Sequence, residues 1–269
     1  MVAHGPGLTV AAEQRATILK YLEAMPTLEA WGASDPGLIR QNNEDSWQIV
    51  PELRVAIVAD GMGGASSGEI ASAMTVEIVA EHLRKSLLGV LPEEVLQEAI
   101  QEANRRVLER AQSEEACAGM GSTVVLAFWD LPRLLIANVG DSRAYLWRDG
   151  SLTQLSYDQT LVNELRVRFG LSEEEVSNFP HKSVLTMAVG TTAELAIHTR
   201  EESLEPGDVV LLCSDGLSGQ VLEPTIAATL SRDTALDDQV RQLINQAKAA
   251  GAPDNVTVVL LRYNDWEIG

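Results

Sequence analysis

The sequence predicts a layered α+β fold. Helical segments come in blocks between runs of strands, so the chain is not a parallel βαβ repeat. Two segments, VAIVAD and VVLLCSD, are almost unbroken apolar runs, as expected of strands buried on both faces. A strong hairpin signal, Arg148-Asp149-Gly150-Ser151, marks antiparallel pairing in the middle of the chain.

Residues 9–25 read as one helix, stopped by Pro26. Strands follow at 28–33 and 53–59. Apolar spacing predicts helices over Ser67–Leu88 and Pro92–Gln112, with Leu96, Ile100, Val107 and Leu108 facing inward. Pro92, Glu93 and Glu94 make a favourable start, with proline in the first turn and carboxylates at the positive end. STVVLAFW, RLLIANVG, SRAYLWR and SLTQLS are short strands separated by turn residues. Residues 160–185 are an excursion from the core. VVLLCSD is a buried strand, 223–230 and 234–250 are helical, and NVTVVLLRY closes the chain as a strand.

The 269 residues suffice for one large domain or two small ones. No apolar run is long enough to span a bilayer, and the N-terminus has no secretory pattern, so a cytoplasmic protein without membrane contact is expected. A net charge of −19 with no basic run argues against nucleic acid as a partner. Cys117 and Cys213 match no metal spacing, and Cys213 is predicted to be a buried thiol.

The chemistry lies in the acids. Glu44-Asp45, Asp60-Gly61, Asp141, Asp215-Gly216 and Asp254-Asn255 are short acidic motifs, and all but the first lie at or between predicted strand ends. Asp60 and Asp215 each end an apolar strand and are followed by glycine, which leaves no side chain to block a ligand. A lone Asp-Gly is an ordinary turn; the set carries the argument. Carboxylates converging on one sheet edge repel one another unless neutralised. Mg²⁺ and Mn²⁺ prefer oxygen ligands and can do this. Two such ions can activate water and hold a phosphoryl oxygen. Arg40, four residues before Glu44, could grip two phosphate oxygens, although alone it reads as a surface ion-pair residue.

Other chemistries lack support. None of the four histidines lies in an acidic motif, which disfavours a zinc site. No G-x-S-x-G elbow and no G-x-x-x-x-G-K-[ST] loop occurs. The Gly61, Gly63, Gly64 spacing is not a dinucleotide fingerprint.

Taken in order, RQNNED, VADGMGG, GMGSTVV, ANVGDSRAYL, LLCSDGL and APDNVTVV resemble the metal-dependent type 2C (PPM) serine/threonine protein phosphatases, closest to bacterial and cyanobacterial members. The resemblance runs from about Leu28 to Tyr263. It implies a four-layer αββα sandwich in which two antiparallel sheets are flanked by helix pairs, with a metal site at one end. Residues 1–27 are then an N-terminal helical extension, and 28–269 are the phosphatase domain with a flap at about 160–185. By the same resemblance Asp60 bridges two Mn²⁺ or Mg²⁺ ions, the Gly61 carbonyl helps hold the first, and Asp215 and Asp254 hold the second. Glu44 orients water, Arg40 binds phosphate, and Asp141 with Asp215 matches a third, weaker metal site. The substrate implied is a phosphoserine or phosphothreonine protein; direct attack by water is expected because no candidate nucleophile stands out in the motifs, and a monomer is expected.

Three positions depart from the family pattern. Ala65 stands where a histidine is usual, Gln159 sits in the segment usually DHS, and Met187 replaces the arginine of T-R-A-x-G. These touch substrate handling or proton delivery, and a slow enzyme is compatible with them. They also motivate two rivals: a weakly active phosphoprotein-binding member of the fold, and a phosphomonoesterase of small metabolites.

Overall fold

The computed structural model describes residues 27–63, 67–86, 93–172, 175, 176, 179 and 183–264. The helix expected over 9–25, the Pro92 helix start and Ala65 lie outside the described residues. Among the described residues eleven strands form two antiparallel sheets. The first has the order β1 (Thr27–Asp35), β11 (Val256–Asn264), β10 (Val209–Cys213), β7 (Arg143–Arg148), β8 (Ser151–Gln154). The second runs β2 (Asp45–Val50), β3 (Val55–Met62), β5 (Val124–Asp130), β6 (Arg133–Val139), β9 (His198–Ser203), with β4 (Gly121–Ser122) pairing the end of β3.

Six helices are described: α1 (Ser67–Ser86), α2 (Glu93–Ser113), α3 (Leu161–Phe169), α4 (Asp215–Ser218), α5 (Glu223–Leu230) and α6 (Leu236–Ala249). Helices α1 and α2 cover the outer face of the second sheet; α4, α5 and α6 cover that of the first.

Strand periodicity explains the layers. On β3, Val55, Ile57 and Ala59 meet Val79, Leu83, Leu96 and Ile100 of the helices. The alternate residues Ala56 and Val58 face the other sheet. On β10, Val209, Leu211 and Cys213 pack on Val240 and Leu243, while Val210 and Leu212 face the opposite sheet. Central strands are thus buried on both faces although the sheets are antiparallel. This is why VAIVAD and VVLLCSD are continuously apolar.

Several expectations shift. Strand β3 continues through Asp60 to Met62, because β4 pairs Gly61 and Met62. Residues 51–53 are a short 3-10 turn, not the start of that strand. Leu108 is only half-buried; Asn104 takes the inward position on α2 and donates to the Thr192 carbonyl at 2.9 Å. The β7–β8 hairpin forms as read, with Arg148 paired to Ser151 and left-handed backbone at Asp149 and Gly150. Within the excursion, residues 161–169 form α3, N-capped by the Thr160 hydroxyl. Among the described residues no helix is long and apolar enough to cross a membrane.

Candidate metal centre

The acidic motifs meet because each lies at or close to a strand end on the same side of the two sheets. Asp45 begins β2 and lies directly across from Asp60 on β3. Asp215 follows β10, Asp254 precedes β11, and Asp141 lies between β6 and β7. Arg40, Glu44, Asp60, Gly61, Asp141, Asp215 and Asp254 all line one cleft of about 440 Å³. All seven sequence-predicted residues are therefore brought together from a span of more than 200 positions.

The main chain around Asp60 is fixed from both sides. Its N–H donates to Thr123 Oγ1 at 2.9 Å, and its carbonyl accepts from the Thr123 N–H at 2.8 Å and the Ser122 hydroxyl at 3.1 Å. The Gly61 N–H donates to the Glu44 carbonyl at 3.0 Å. The glycines after Asp60 and Asp215 have a different use from the one read in the sequence. A Cβ on Gly61 would lie 2.0 Å from the Gly68 carbonyl oxygen of α1, and one on Gly216 would lie 1.8 Å from the Asn255 carbonyl oxygen. They permit backbone to approach backbone, which draws the acid-bearing segments together.

Asp45 is assigned no role by the sequence motif. It is buried, and its Oδ2 accepts from Ser214 Oγ at 2.8 Å and Thr257 Oγ1 at 2.6 Å, so it ties one sheet to the other. Its Oδ1 is buried with no hydrogen-bond partner. Asn255, also unassigned, accepts the Glu44 N–H at 2.7 Å and donates to the carbonyls of Pro36 and Asn42 at 3.0 and 2.9 Å. It staples the loop that carries Arg40. No sequence signal showed either function, since both depend on register between distant strands.

The electrostatics are those of crowded anions. Burial, then Asp45, Asp215, Asp141 and Asp254, push Asp60 well above the usual carboxylate range. Burial raises Asp45 to about 7 against the pull of its two hydroxyl donors. Burial and then Asp215 raise Asp141 to about 7. Asp215 is raised by burial and then by Asp254. At the mouth, Arg40 Nη2 donates to Asp254 Oδ2 at 2.7 Å, and its Nη1 lies 3.9 Å from Glu44 Oε2.

An all-oxygen set, an orphaned buried carboxylate oxygen and several acids that resist ionising together fit a hard divalent cation. Among the described residues no three acidic, histidine or cysteine side chains close tightly enough to hold an ion by themselves.

Residues 38–260 match the family model described as protein phosphatase 2C. The chain belongs to the protein phosphatase 2C family. It is 35% identical over 237 residues to the serine/threonine phosphatase stp of Listeria innocua, covering 86% of this chain and 94% of that one. The crystal structure of the Mycobacterium tuberculosis serine/threonine phosphatase PstP/Ppp superposes with a TM-score of 0.82 at 34% identity, over 89% of this chain and all of that one. The catalytic domain of PstP in complex with two manganese ions gives a TM-score of 0.78 at 34% identity, over 90% and 100% of the two chains. This protein phosphatase 2C chain is accordingly a serine/threonine protein phosphatase with the α+β sandwich of its relatives.

Two of the three departures from the protein phosphatase 2C pattern have structural accounts. Gln159 is buried and locks the strand end before Asp141: its Oε1 accepts the Gly140 N–H at 2.8 Å, its main-chain N–H donates to the Gly140 carbonyl at 3.0 Å, and its Nε2 donates to the Ala196 carbonyl at 2.5 Å. Met187 is partly buried against the core under α1 and α2.

Proposed function

We propose that this phosphatase hydrolyses phosphoserine and phosphothreonine in proteins by direct attack of water at a centre holding two Mn²⁺ or Mg²⁺ ions. What supports the reading is the convergence of Arg40, Glu44, Asp60, Gly61, Asp141, Asp215 and Asp254 on one cleft. Asp60, the Gly61 carbonyl, Asp215 and Asp254 would hold the two ions, and Asp141 with Asp215 a third. Bound there, the ions would polarise phosphoryl oxygens and lower the pKa of water.

The chain's own groups supply the rest. Arg40 is half-exposed at the mouth, steadied by Asp254 on one guanidinium nitrogen. Its remaining donors are free to grip two phosphate oxygens in a fork. Glu44 faces the same cleft and can accept a proton from the attacking water. Asp45, with one oxygen held by Ser214 and Thr257, fixes the start of β2 beside Asp60 and so steadies the neighbouring Glu44. No described residue lining the cleft is a cysteine or histidine, and the reading is direct hydrolysis without a covalent phosphoenzyme.

Asp60→Asn and Asp215→Asn test the assignment. Each should abolish Mn²⁺-dependent hydrolysis of a phosphothreonine peptide and weaken Mn²⁺ binding measured calorimetrically, with an unchanged circular dichroism spectrum. Full activity in either folded variant would refute the metal-ligand roles.

A further inference from the structure

A second cleft adjoins the metal centre and shares Asp141, Asp215 and Ser183 with it as walls. Its volume is about 270 Å³, below the range of about 300–1,000 Å³ usual for whole small-molecule ligands and suited to a single side chain. One wall is α3. That helix is fixed in place: Thr160 caps it, the Asn163 amide donates to the Asp158 carbonyl at 2.7 Å, and the Leu161 N–H donates to the Val184 carbonyl at 2.8 Å. Gly170 in left-handed backbone ends it. Val162 and Arg166, one turn apart, therefore present a preformed surface to the cleft.

Two arginines line this cleft, in opposite states. Arg143 is consumed: it forms a forked pair with Asp158, with Nη2 to Oδ2 at 2.6 Å and Nε to both carboxylate oxygens, and donates to the Tyr145 hydroxyl at 2.7 Å. Arg166 is exposed and has no ion pair, side-chain hydrogen bond or ring contact, and among the described residues it is the one arginine or lysine of which this is true. Arg143 neutralises Asp158, and the other two carboxylates of this cleft, Asp141 and Asp215, also line the metal centre, so the unpaired Arg166 is the cation left to attract an anion. The apolar side chains of Val162 and Val176 in the same cleft suit the methylenes of a glutamate.

Building on the phosphatase reading of the adjoining centre, we propose that Arg166 forms a specificity subsite for an acidic side chain near the phosphoserine or phosphothreonine of the substrate. The anion is a carboxylate carried by the same polypeptide as the phosphate. Reach into the cleft passes along the wall formed by Asp141 and Asp215, so the acid lies a short stretch of chain from the phosphoresidue.

The test uses the whole chain with saturating Mn²⁺. Phosphothreonine peptides carry a single Glu or Lys walked outward from the phosphothreonine on either side. At one or more positions wild-type kcat/KM should favour Glu, mainly through KM. Arg166→Ala should reduce that Glu-to-Lys ratio about fivefold, the scale of a solvent-accessible ion pair, and Arg166→Glu should invert it. An unchanged ratio in both variants, or an equal fall for Glu and Lys peptides, would overturn the subsite. Wild-type turnover of p-nitrophenyl phosphate separates the two levels of the argument. Its presence without any Glu preference sinks the subsite alone, and its absence, along with that of every peptide, sinks the phosphatase chemistry beneath it.

Discussion

The side-chain oxygen of Asn255 accepts the main-chain N–H of Glu44 at 2.7 Å, joining positions 211 residues apart. The same amide donates to Pro36 and Asn42, so one side chain holds both ends of the segment that bears Arg40. Asn255→Ala should cost about 2–3 kcal/mol in stability, on the scale of several lost buried hydrogen bonds. It should also lower kcat/KM at least about tenfold, since displaced catalytic groups lose far more than binding energy. Thermal melts and steady-state kinetics with a phosphothreonine peptide check both. Normal kinetics in a destabilised variant would show that the staple does not position the site.

Gly216→Ala places a methyl 1.8 Å from the Asn255 carbonyl oxygen, a main-chain atom that cannot move aside alone. The expected loss is about 2–4 kcal/mol, with activity lost beyond what the fall in folded fraction explains, because Asp215 and Asn255 must both shift. Chemical denaturation followed by an activity assay on the folded fraction is the measurement.

Without a bound cation, folding should weaken as pH rises. Asp45 and Asp141 are each raised to about 7 by burial, whereas the unfolded chain releases these protons near the ordinary value of 3.8. Between those values the folded state holds more protons than the unfolded one, so the slope of stability against pH is negative. The contribution is fully present below about 4 and is lost as pH passes through about 7. Calorimetric melts of chelator-treated protein at about pH 5 and pH 8 should show this loss, and saturating Mn²⁺ should flatten it. A chelated protein that gains stability over the same interval would contradict the electrostatic account of the site.

Arg40→Lys keeps the charge but not the planar fork. With Asp254 already occupying one nitrogen, the ammonium cannot hold two phosphate oxygens in the same way. We expect KM for a phosphopeptide to rise about tenfold, while Mn²⁺ affinity measured by calorimetry stays near that of wild type. A large loss of metal binding instead would show that Arg40 serves the ions and not the phosphate.

Burial pushes the Cys213 thiol up to about 12 and leaves it without exposed surface. Cys117 is likewise buried. Neither should react with a thiol reagent in native protein near pH 8, and both should react on denaturation. Rapid native labelling of Cys213 would mean that the layer between β10 and α6 opens readily.

The sequence by itself determined the fold class, the central strands, most helices and the acids that meet in the cleft. Apolar runs such as VAIVAD report burial on both faces, and aspartate at the end of such a run is conspicuous because turn residues are missing. Strands β2 and β9 were not legible. The β9 sequence HTREES lies on a sheet edge with no fully buried residue, so it carries no apolar pattern, and β2 is short and mixed. Tertiary structure alone decided that Asp45 faces Asp60 and reaches Ser214 and Thr257, that Asn255 holds the Glu44 loop, and that the two Asp-Gly glycines make room for backbone. Each of these rests on strand register and layer spacing between segments up to 212 residues apart. Local propensity acts over a few residues along the chain and holds no record of such distances.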